Sequence, residues 1–201
     1  MEQQTKSLLI IFYRNPKIGK VKTRLAATLG NQKALDIYRK LSLHTKTITE
    51  DLNLDKIVFY SDVIDLMDIW PNATFLKAFQ EGEDLGEKMK NAFVAGFETG
   101  YTSICIIGTD CFELTGEIIT QAFEVLKSAD AVIGPAGDGG YYLLGMNGPS
   151  DVFQNKNWST ETVLQETIHD FESLGLHYFL LQELKDVDTE DDLPEELKGG
   201  L

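Results

Sequence analysis

The sequence contains 201 residues, with 18 lysines and arginines against 32 aspartates and glutamates, and its formal net charge is −14. Its length suits one domain over residues 1–201, and its composition excludes disordered and collagen-like proteins. The negative charge argues against nucleic acid or an anionic membrane surface as the main partner. Two cysteines do not form a disulfide framework, and the sequence shows neither a signal peptide nor an apolar run of about 18 residues. We therefore expect a cytoplasmic protein.

Apolar runs alternate with helical patterns along most of the chain. The runs typical of buried strands are Ser7–Tyr13, 56–60, 74–78, 103–108, Ala131–Pro135, 139–146 and 177–181. Helical spacing covers 31–52 (with Asn31 as the N-cap), 85–97 and 117–127, and a further helix begins at Ser159 or Thr160 and ends near residue 174. A capping-box pattern at 189–192 predicts a short C-terminal helix, and residues 148–157 form the least regular segment.

This alternation predicts the fold class. Strands that alternate with helices of this length are typical of βαβ units, which give a mainly parallel sheet with helices on both faces. In an open α/β sheet, ligands bind outside the carboxyl ends of the strands. Three groups of polar residues follow predicted strands or lie in the turns beside them, and these are the candidate sites.

The first candidate is the basic segment 14–26, a predicted loop directly after the first strand. It holds five of the eighteen cations, namely Arg14, Lys17, Lys20, Lys22 and Arg24. The segment matches neither the Walker A pattern nor the dinucleotide-binding pattern G-x-G-x-x-G. It is typical of a phosphate clamp, in which a lysine supplies a compact positive charge and an arginine donates paired hydrogen bonds to phosphate oxygens. The alternative is a solvated loop that only balances nearby acids.

The second candidate is Asp110, which follows the most apolar predicted strand. A carboxylate in this place could hold Mg²⁺ or Mn²⁺ together with phosphate oxygens and water. Alternatively, Asp110 caps the next helix near Thr115 or only turns the chain. Cys111 beside it is a weaker candidate for a nucleophile, because no histidine lies near it in the sequence.

The third candidate is Asp138, which has Gly137 before it and Gly139 and Gly140 after it. Glycines on both sides would let another molecule approach closely while the carboxylate points into a cleft. The alternative is a simple turn between strands, since Asp-Gly is a common turn dipeptide. Asp186 and Asp188, which precede the predicted C-terminal helix, could reach the same cleft.

Six motifs follow one another along the chain. They are Phe12-x-Arg-x-Pro-x-x-Gly-x-Val-Lys-Thr-Arg-Leu-Ala26, Asp84-Leu-Gly-x-Lys-Met89, Gly108-Thr-Asp-Cys111, Gly134-Pro-Ala-x-Asp-Gly-Gly-Tyr-Tyr-Leu-Leu-Gly145, Trp158-Ser-Thr160 and Asp186-Val-Asp-Thr-x-Asp-Asp-Leu193. In this order they resemble the motifs of the bacterial domain-of-unknown-function 2064 (DUF2064) proteins, also described as CofC-like or arsenosugar-type glycosyltransferases. That family is similar to the nucleotide-diphospho-sugar transferase (GT-A) superfamily.

The resemblance implies a GT-A-like three-layer α/β/α sandwich and assigns roles to residues. A nucleotide would lie over the first strands, bound by Arg14, Gly19, Lys22, Arg24, Asp84, Gly86 and Lys88. Asp110, and more weakly Asp188, would bind the metal, and Asp110, Asp138 and Lys22 would be catalytic. The acceptor side would include Gly139, Gly140, Tyr141, Trp158 and Thr160. The chain departs from the family where Phe112 replaces a usual proline and Lys88 a usual arginine.

The predicted function is transfer of a sugar from a nucleoside-diphosphate sugar to a small-molecule acceptor, with Mg²⁺ or Mn²⁺ as cofactor. A nucleotidyltransferase that uses a nucleoside triphosphate and releases pyrophosphate is the first alternative. A non-catalytic nucleotide-binding module is the second. All three require the basic segment and Asp110 to face each other across one cleft.

Overall fold

The computed structural model describes residues 6–198, which form seven strands and six α-helices. The strands are β1 (Ser7–Tyr13), β2 (Asp55–Tyr60), β3 (Leu76–Phe79), β4 (Ser103–Ile107), β5 (Ala131–Pro135), β6 (Tyr141–Met146) and β7 (Tyr178–Leu180). The helices are α1 (Thr23–Leu29), α2 (Asn31–Glu50), α3 (Leu85–Glu98), α4 (Gly116–Val125), α5 (Val163–Ser173) and α6 (Glu195–Lys198). None of these helices has the length and apolar character needed to cross a membrane.

The strands form one sheet in the order β3-β2-β1-β4-β6-β5-β7. Only β6 is antiparallel to its neighbours, β4 and β5, so the sheet is mixed and mostly parallel. The predicted α/β fold class is therefore confirmed. Because β1 to β4 are parallel, their carboxyl ends meet at one edge of the sheet, where ligands are expected.

The apolar residues of β1 explain the layers of the fold. Leu9 and Ile11 point into a cluster that includes residues of α2 and α4, whereas Leu8 and Ile10 point into another that includes residues of α3 and α5. This alternation follows from the two-residue period of a strand that is buried on both faces. A third cluster joins α1 and α2 to Val187, Leu193 and Leu197 of the C-terminal segment.

The largest difference from the predicted elements is α1. Residues 14–26 were expected to form a loop, but Thr23–Leu29 is helical and buries Leu25. The prediction of a loop over the whole segment is therefore wrong. With seven residues, α1 is too short to be stable as an isolated helix, and it depends on packing against α2 and the C-terminal segment.

Several boundaries also differ from the predicted ones. Gly30, not Asn31, caps α2, and β3 covers 76–79 rather than 74–78. Helix α5 begins at Val163 rather than at Ser159 or Thr160, and Ser159 itself has a left-handed backbone with φ of 67°. The capping box of Thr189 and Asp192 is present, but it opens a single 3-10 turn, Glu190–Asp192. That one domain spans residues 1–201 stays a prediction.

Candidate active site

A cavity of about 540 Å³ lies at the carboxyl ends of β1 to β4. Residues from several elements line it, including parts of α1, α3 and the segment 158–160. Eleven of the predicted site residues contribute to its wall, namely Arg14, Lys22, Arg24, Lys88, Asp110, Asp138, Gly140, Tyr141, Trp158, Thr160 and Asp188. The sheet therefore brings together residues that are far apart in the sequence.

Lys22 is the charged centre of this cavity. Its Nζ lies 2.8 Å from Asp110 Oδ1 and 3.1 Å from Asp188 Oδ1, and its side chain is only 4% exposed. Burial alone would lower the pKa of Lys22, but the two carboxylates outweigh this effect and raise the pKa above its ordinary value. Lys22 is therefore a charged ammonium at neutral pH, and it joins the end of β4 to the C-terminal segment.

The backbone at Lys22 explains how its side chain reaches the sheet. Lys22 has φ of 48° and ψ of 50°, a left-handed conformation that costs a non-glycine residue energy. It immediately precedes α1, and its carbonyl oxygen accepts a hydrogen bond from the backbone N–H of Ala26. The turn sends the ammonium toward the sheet edge while Arg24, one residue into α1, stays mostly exposed and lies 3.4 Å from Asp188.

The cations of the basic segment differ in whether they pair with acidic residues of the protein. Lys17 pairs with Asp62 at 3.3 Å, so that three of the five cations have acidic partners within the protein. Arg14, which lines the cavity, makes no ion pair with any residue between 6 and 198, and the same holds for Lys88 on α3. Some charges of the segment therefore balance nearby acids. That the segment binds phosphate stays a prediction.

Asp110 does not cap a helix, since Thr115 caps α4 and accepts a hydrogen bond from the N–H of Ile118. The Asp110 Oδ1 atom is buried and, although near Lys22, forms no directed hydrogen bond with the protein. The backbone carbonyl of Asp110 accepts a hydrogen bond from the N–H of Val187. This bond holds the C-terminal segment beside Asp110 and places Asp186 and Asp188 at the same cavity.

Asp186 is a site residue to which the sequence assigned no separate role. Its carboxyl group lines the cavity and is half-buried. Burial, together with the negative charges of Asp110, Asp138 and Asp188, raises the pKa of Asp186 to about 7, although the ammonium of Lys22 opposes these effects. The motif Asp186-Val-Asp188 was visible in the sequence, but the spacing could not tell which of the two carboxylates would be the more buried.

Asp138 also lines the cavity and is exposed. Its Oδ1 accepts a hydrogen bond from the N–H of Gly140, so the residue closes its own turn as well as facing the cavity. A Cβ on Gly139 would meet the backbone of Glu161 at 2.1 Å. Gly139 therefore makes room for the chain before α5 and does not line the cavity.

Three further predicted residues support the wall without lining it. Asp84 is the N-cap of α3 and accepts a hydrogen bond from the N–H of Glu87. Gly86 is buried under the indole of Trp158, which would lie 2.3 Å from a Cβ placed there. Gly19 has φ of 70° and turns the basic segment. The roles of these residues in ligand binding stay predictions.

Tyr38 and Asn15 hold the loops of the cavity in place, and no motif in the sequence predicted this role. The Tyr38 hydroxyl accepts a hydrogen bond from the N–H of Arg14, donates to the Arg14 carbonyl at 2.7 Å and accepts from Thr109 Oγ1. Asn15 accepts hydrogen bonds from the N–H groups of Asp62 and Val63 through Oδ1. Both looked like ordinary helix-core and loop residues in the sequence.

Cys111 is not suited to nucleophilic attack. Burial raises the pKa of its thiol to about 12, with Asp186 adding to the effect. A thiol with such a pKa is protonated at neutral pH, whereas the thiolate is the nucleophile. This agrees with the sequence analysis, in which no histidine lies near Cys111 to activate it.

The predicted metal site has a suitable but incomplete set of ligands. No three His, Cys, Asp or Glu side chains of the described chain are arranged to bind a metal ion. Asp110 and Asp188 nevertheless share one cation, the ammonium of Lys22, and Asp110 Oδ1 is buried without a directed hydrogen bond. Two carboxylates fit Mg²⁺ or Mn²⁺ if phosphate oxygens and water complete the shell. The metal site stays a prediction.

Comparison with known proteins identifies relatives of the chain. A candidate nucleotide-diphospho-sugar transferase from Desulfovibrio desulfuricans G20 is 33% identical, with a TM-score of 0.84 over 92% of this chain and 84% of that one. The 4-diphosphocytidyl-2C-methyl-D-erythritol synthase of Anaerococcus prevotii DSM 20548 is 9% identical, with a TM-score of 0.55 over 94% and 92%. Glucosyl-3-phosphoglycerate synthase of Mycobacterium tuberculosis, in complex with Mn²⁺ and uridine diphosphate, is 11% identical, with a TM-score of 0.54 over 98% and 75%. The last two show the fold alone.

The fold and the first of these relatives define a protein of the nucleotide-diphospho-sugar transferase-like class, and the prediction of an enzyme of this class is confirmed. Residues 45–160 match the family DUF2064, described as uncharacterised proteins conserved in bacteria. The chain therefore belongs to the DUF2064 family, as its motifs predicted. A search among curated proteins finds no match.

Proposed function

We propose that this protein transfers a sugar from a nucleoside-diphosphate sugar to the hydroxyl group of a small-molecule acceptor. The single observation that carries the proposal is the composition of the cavity wall. It combines an ion-paired Lys22 and three nearby acids at one end with two unpaired cations, Arg14 and Lys88, at the same sheet edge. A ligand that carries phosphates and a metal ion would complement both groups of charges.

The diphosphate would lie between these two groups. Arg14 and Lys88 would bind phosphate oxygens directly, because neither has a competing acidic partner among the described residues. Asp110 and Asp188 would hold a divalent cation, which when bound neutralises the negative charge that develops on the leaving diphosphate. Lys22 would keep those carboxylates oriented and add a fixed positive charge beside the reacting bond.

The acceptor would enter from the side of Asp138. This part of the wall contains Tyr141, Trp158 and Thr160, a mixture of aromatic surface and hydroxyl groups that is typical of small-molecule sites. Asp138 is exposed to the cavity and could accept the proton of the attacking hydroxyl. The acceptor oxygen would form the new bond to the anomeric carbon as the bond to the diphosphate breaks.

A second function is favoured by the same unpaired cations. Arg14, Lys88 and the mostly exposed Arg24 could together bind a triphosphate, which carries more negative charge than a diphosphate sugar. The protein would then transfer a nucleotidyl group and release pyrophosphate. A module that binds a nucleotide without turnover is the remaining alternative.

One experiment separates these functions. Purified protein with Mg²⁺ or Mn²⁺ is incubated with a panel of nucleoside-diphosphate sugars and nucleoside triphosphates, together with a mixture of small hydroxyl acceptors. Release of nucleoside diphosphate from a sugar donor supports glycosyl transfer, and release of pyrophosphate supports nucleotidyl transfer. Tight nucleotide binding with no turnover of any donor would support the third alternative, a module that binds a nucleotide without catalysis.

A further inference from the structure

Gln80 is a polar residue of the cavity wall that neither the motifs nor the proposed function uses. It follows the last residue of β3, and its backbone N–H donates a hydrogen bond to the carbonyl of Tyr60. It therefore continues the strand pairing and fixes the position from which its side chain extends. The side chain lines the same cavity as Arg14 and Asp110.

The carboxamide of Gln80 is oriented by two backbone carbonyls. Its Nε2 donates to the carbonyl of Phe59 at 2.8 Å and to that of Tyr13 at 3.4 Å. If the amide were turned over, Oε1 would face those carbonyl oxygens and both hydrogen bonds would be lost. The donors of Gln80 are thus used within the sheet, and Oε1 has no donor partner among residues 6–198. Gln80 offers the cavity a fixed hydrogen-bond acceptor.

The place of Gln80 along the sheet edge suggests which part of the ligand it meets. The order β3-β2-β1-β4 puts Gln80, Ser61, Arg14 and Asp110 at successive strand ends. Three strand spacings separate Gln80 from Asp110, which corresponds to about 14 Å. If the phosphates lie between Arg14 and Asp110, the nucleoside extends toward β3 and its base reaches Gln80.

We infer that Gln80 selects the base of the donor, and that it favours bases with an exocyclic amino group at their pairing edge. Cytosine and adenine would donate an amino N–H to Oε1. Uracil and hypoxanthine carry a carbonyl oxygen in that position, and it would face Oε1 without a hydrogen bond between them. This inference rests on the proposed function, because it assumes that a nucleotide occupies the cavity.

The test measures binding of matched nucleotides by isothermal titration calorimetry. Cytidine diphosphate is compared with uridine diphosphate, and adenosine diphosphate with inosine diphosphate, because each pair differs only in the base. The wild-type protein should bind the amino-bearing member of each pair at least about tenfold more tightly, since an unmade buried hydrogen bond commonly costs this much. Gln80→Leu should bring both ratios close to one. Gln121→Leu, the same change on the exposed surface of α4, should leave both ratios as they are.

The possible failures are distinguishable. Equal binding of both members of each pair by the wild-type protein would overturn the role of Gln80 and leave the proposed function standing. A wild-type preference that persists in Gln80→Leu would also overturn it. If no nucleotide binds at all, the proposed function fails as well. If Gln80→Leu does not fold, equal binding of both members of each pair by the wild-type protein would still overturn the inference.

Discussion

The two ends of the cavity differ in whether their positive charges are paired with acids of the protein. At the β4 end, Lys22 is buried between Asp110 and Asp188, and its charge is balanced inside the protein. At the β1 side, Arg14 is exposed and, like Lys88, has no acidic partner among the described residues. A paired buried charge organises its surroundings, whereas an unpaired one retains its attraction for a ligand. The cation content of the basic segment therefore overstates the charge that is available to a phosphate.

The largest expected effect comes from the paired end. Asp110→Asn should lower the turnover number by about 100- to 1000-fold, because it removes a carboxylate from the place where the leaving group would be stabilised. Lys22 would keep Asp188 as a partner, so the fold should persist. The measurement is the initial rate of donor turnover with the acceptor saturating.

The matched control for this change is Asp170→Asn. Asp170 pairs with Lys156, which is as buried as Lys22 but lies outside the cavity. Asp170→Asn should keep its turnover number even if it loses some stability. An equal loss of turnover in both variants would mean that a general weakening of the fold, and not the chemistry of Asp110, explains the effect.

The unpaired end should control nucleotide affinity instead. Arg14→Ala and Lys88→Ala should each weaken nucleotide binding about 10- to 100-fold, the range for a charge-assisted hydrogen bond. Arg24→Ala should have a much smaller effect, because Arg24 is mostly exposed and already pairs with Asp188. Titration calorimetry with a nucleoside diphosphate at two salt concentrations tests the ranking. If Arg24→Ala proves the most damaging of the three, the contrast between the two ends is wrong.

The sequence could predict that the basic segment and Asp110 would meet, because both follow strands whose carboxyl ends share one edge of the sheet. It could not predict which charges would pair. That depends on the left-handed turn at Lys22 and on the hydrogen bond from Val187 to Asp110, which carries Asp188 across 78 residues of sequence to the same cavity. Gln80 and Tyr38 were also invisible as site residues, since their roles come from the orientation of single polar atoms.

Asp186 should lower the stability of the ligand-free protein at neutral pH. Its pKa is raised from 3.8 to about 7, so the folded state retains a proton that the unfolded state releases. Stability contributed by this group therefore falls as the pH rises from about 4 to about 7, and the loss is complete above that range. Asp186→Asn should add about 1–3 kcal/mol to the free energy of unfolding at pH 8, and little at pH 4. Urea denaturation in the presence of a chelator, at both pH values, measures this; a variant that is less stable at pH 8 would contradict it.

The smallest effect is expected at Asp192, which lies in the C-terminal segment that carries Asp186 and Asp188. Its Oδ2 accepts hydrogen bonds from the N–H and the hydroxyl of Thr189, and its Oδ1 lies 2.8 Å from Lys185 Nζ. Burial would raise the pKa of Asp192, but these partners outweigh it and lower the pKa to about 2. The stability from this group is thus present above about pH 4 and is lost as the pH falls toward 2. Asp192→Asn should cost about 1 kcal/mol at pH 6, the usual value of a helix cap, and progressively less at pH 3.

Asp191→Asn, next to it but outside the capping box, is the matched control and should cost almost nothing at either pH. Because the capping box only steadies the segment, Asp192→Asn should leave the order of the cavity variants unchanged, and a loss of turnover as large as that of Asp110→Asn would show that the 3-10 turn positions Asp188 directly.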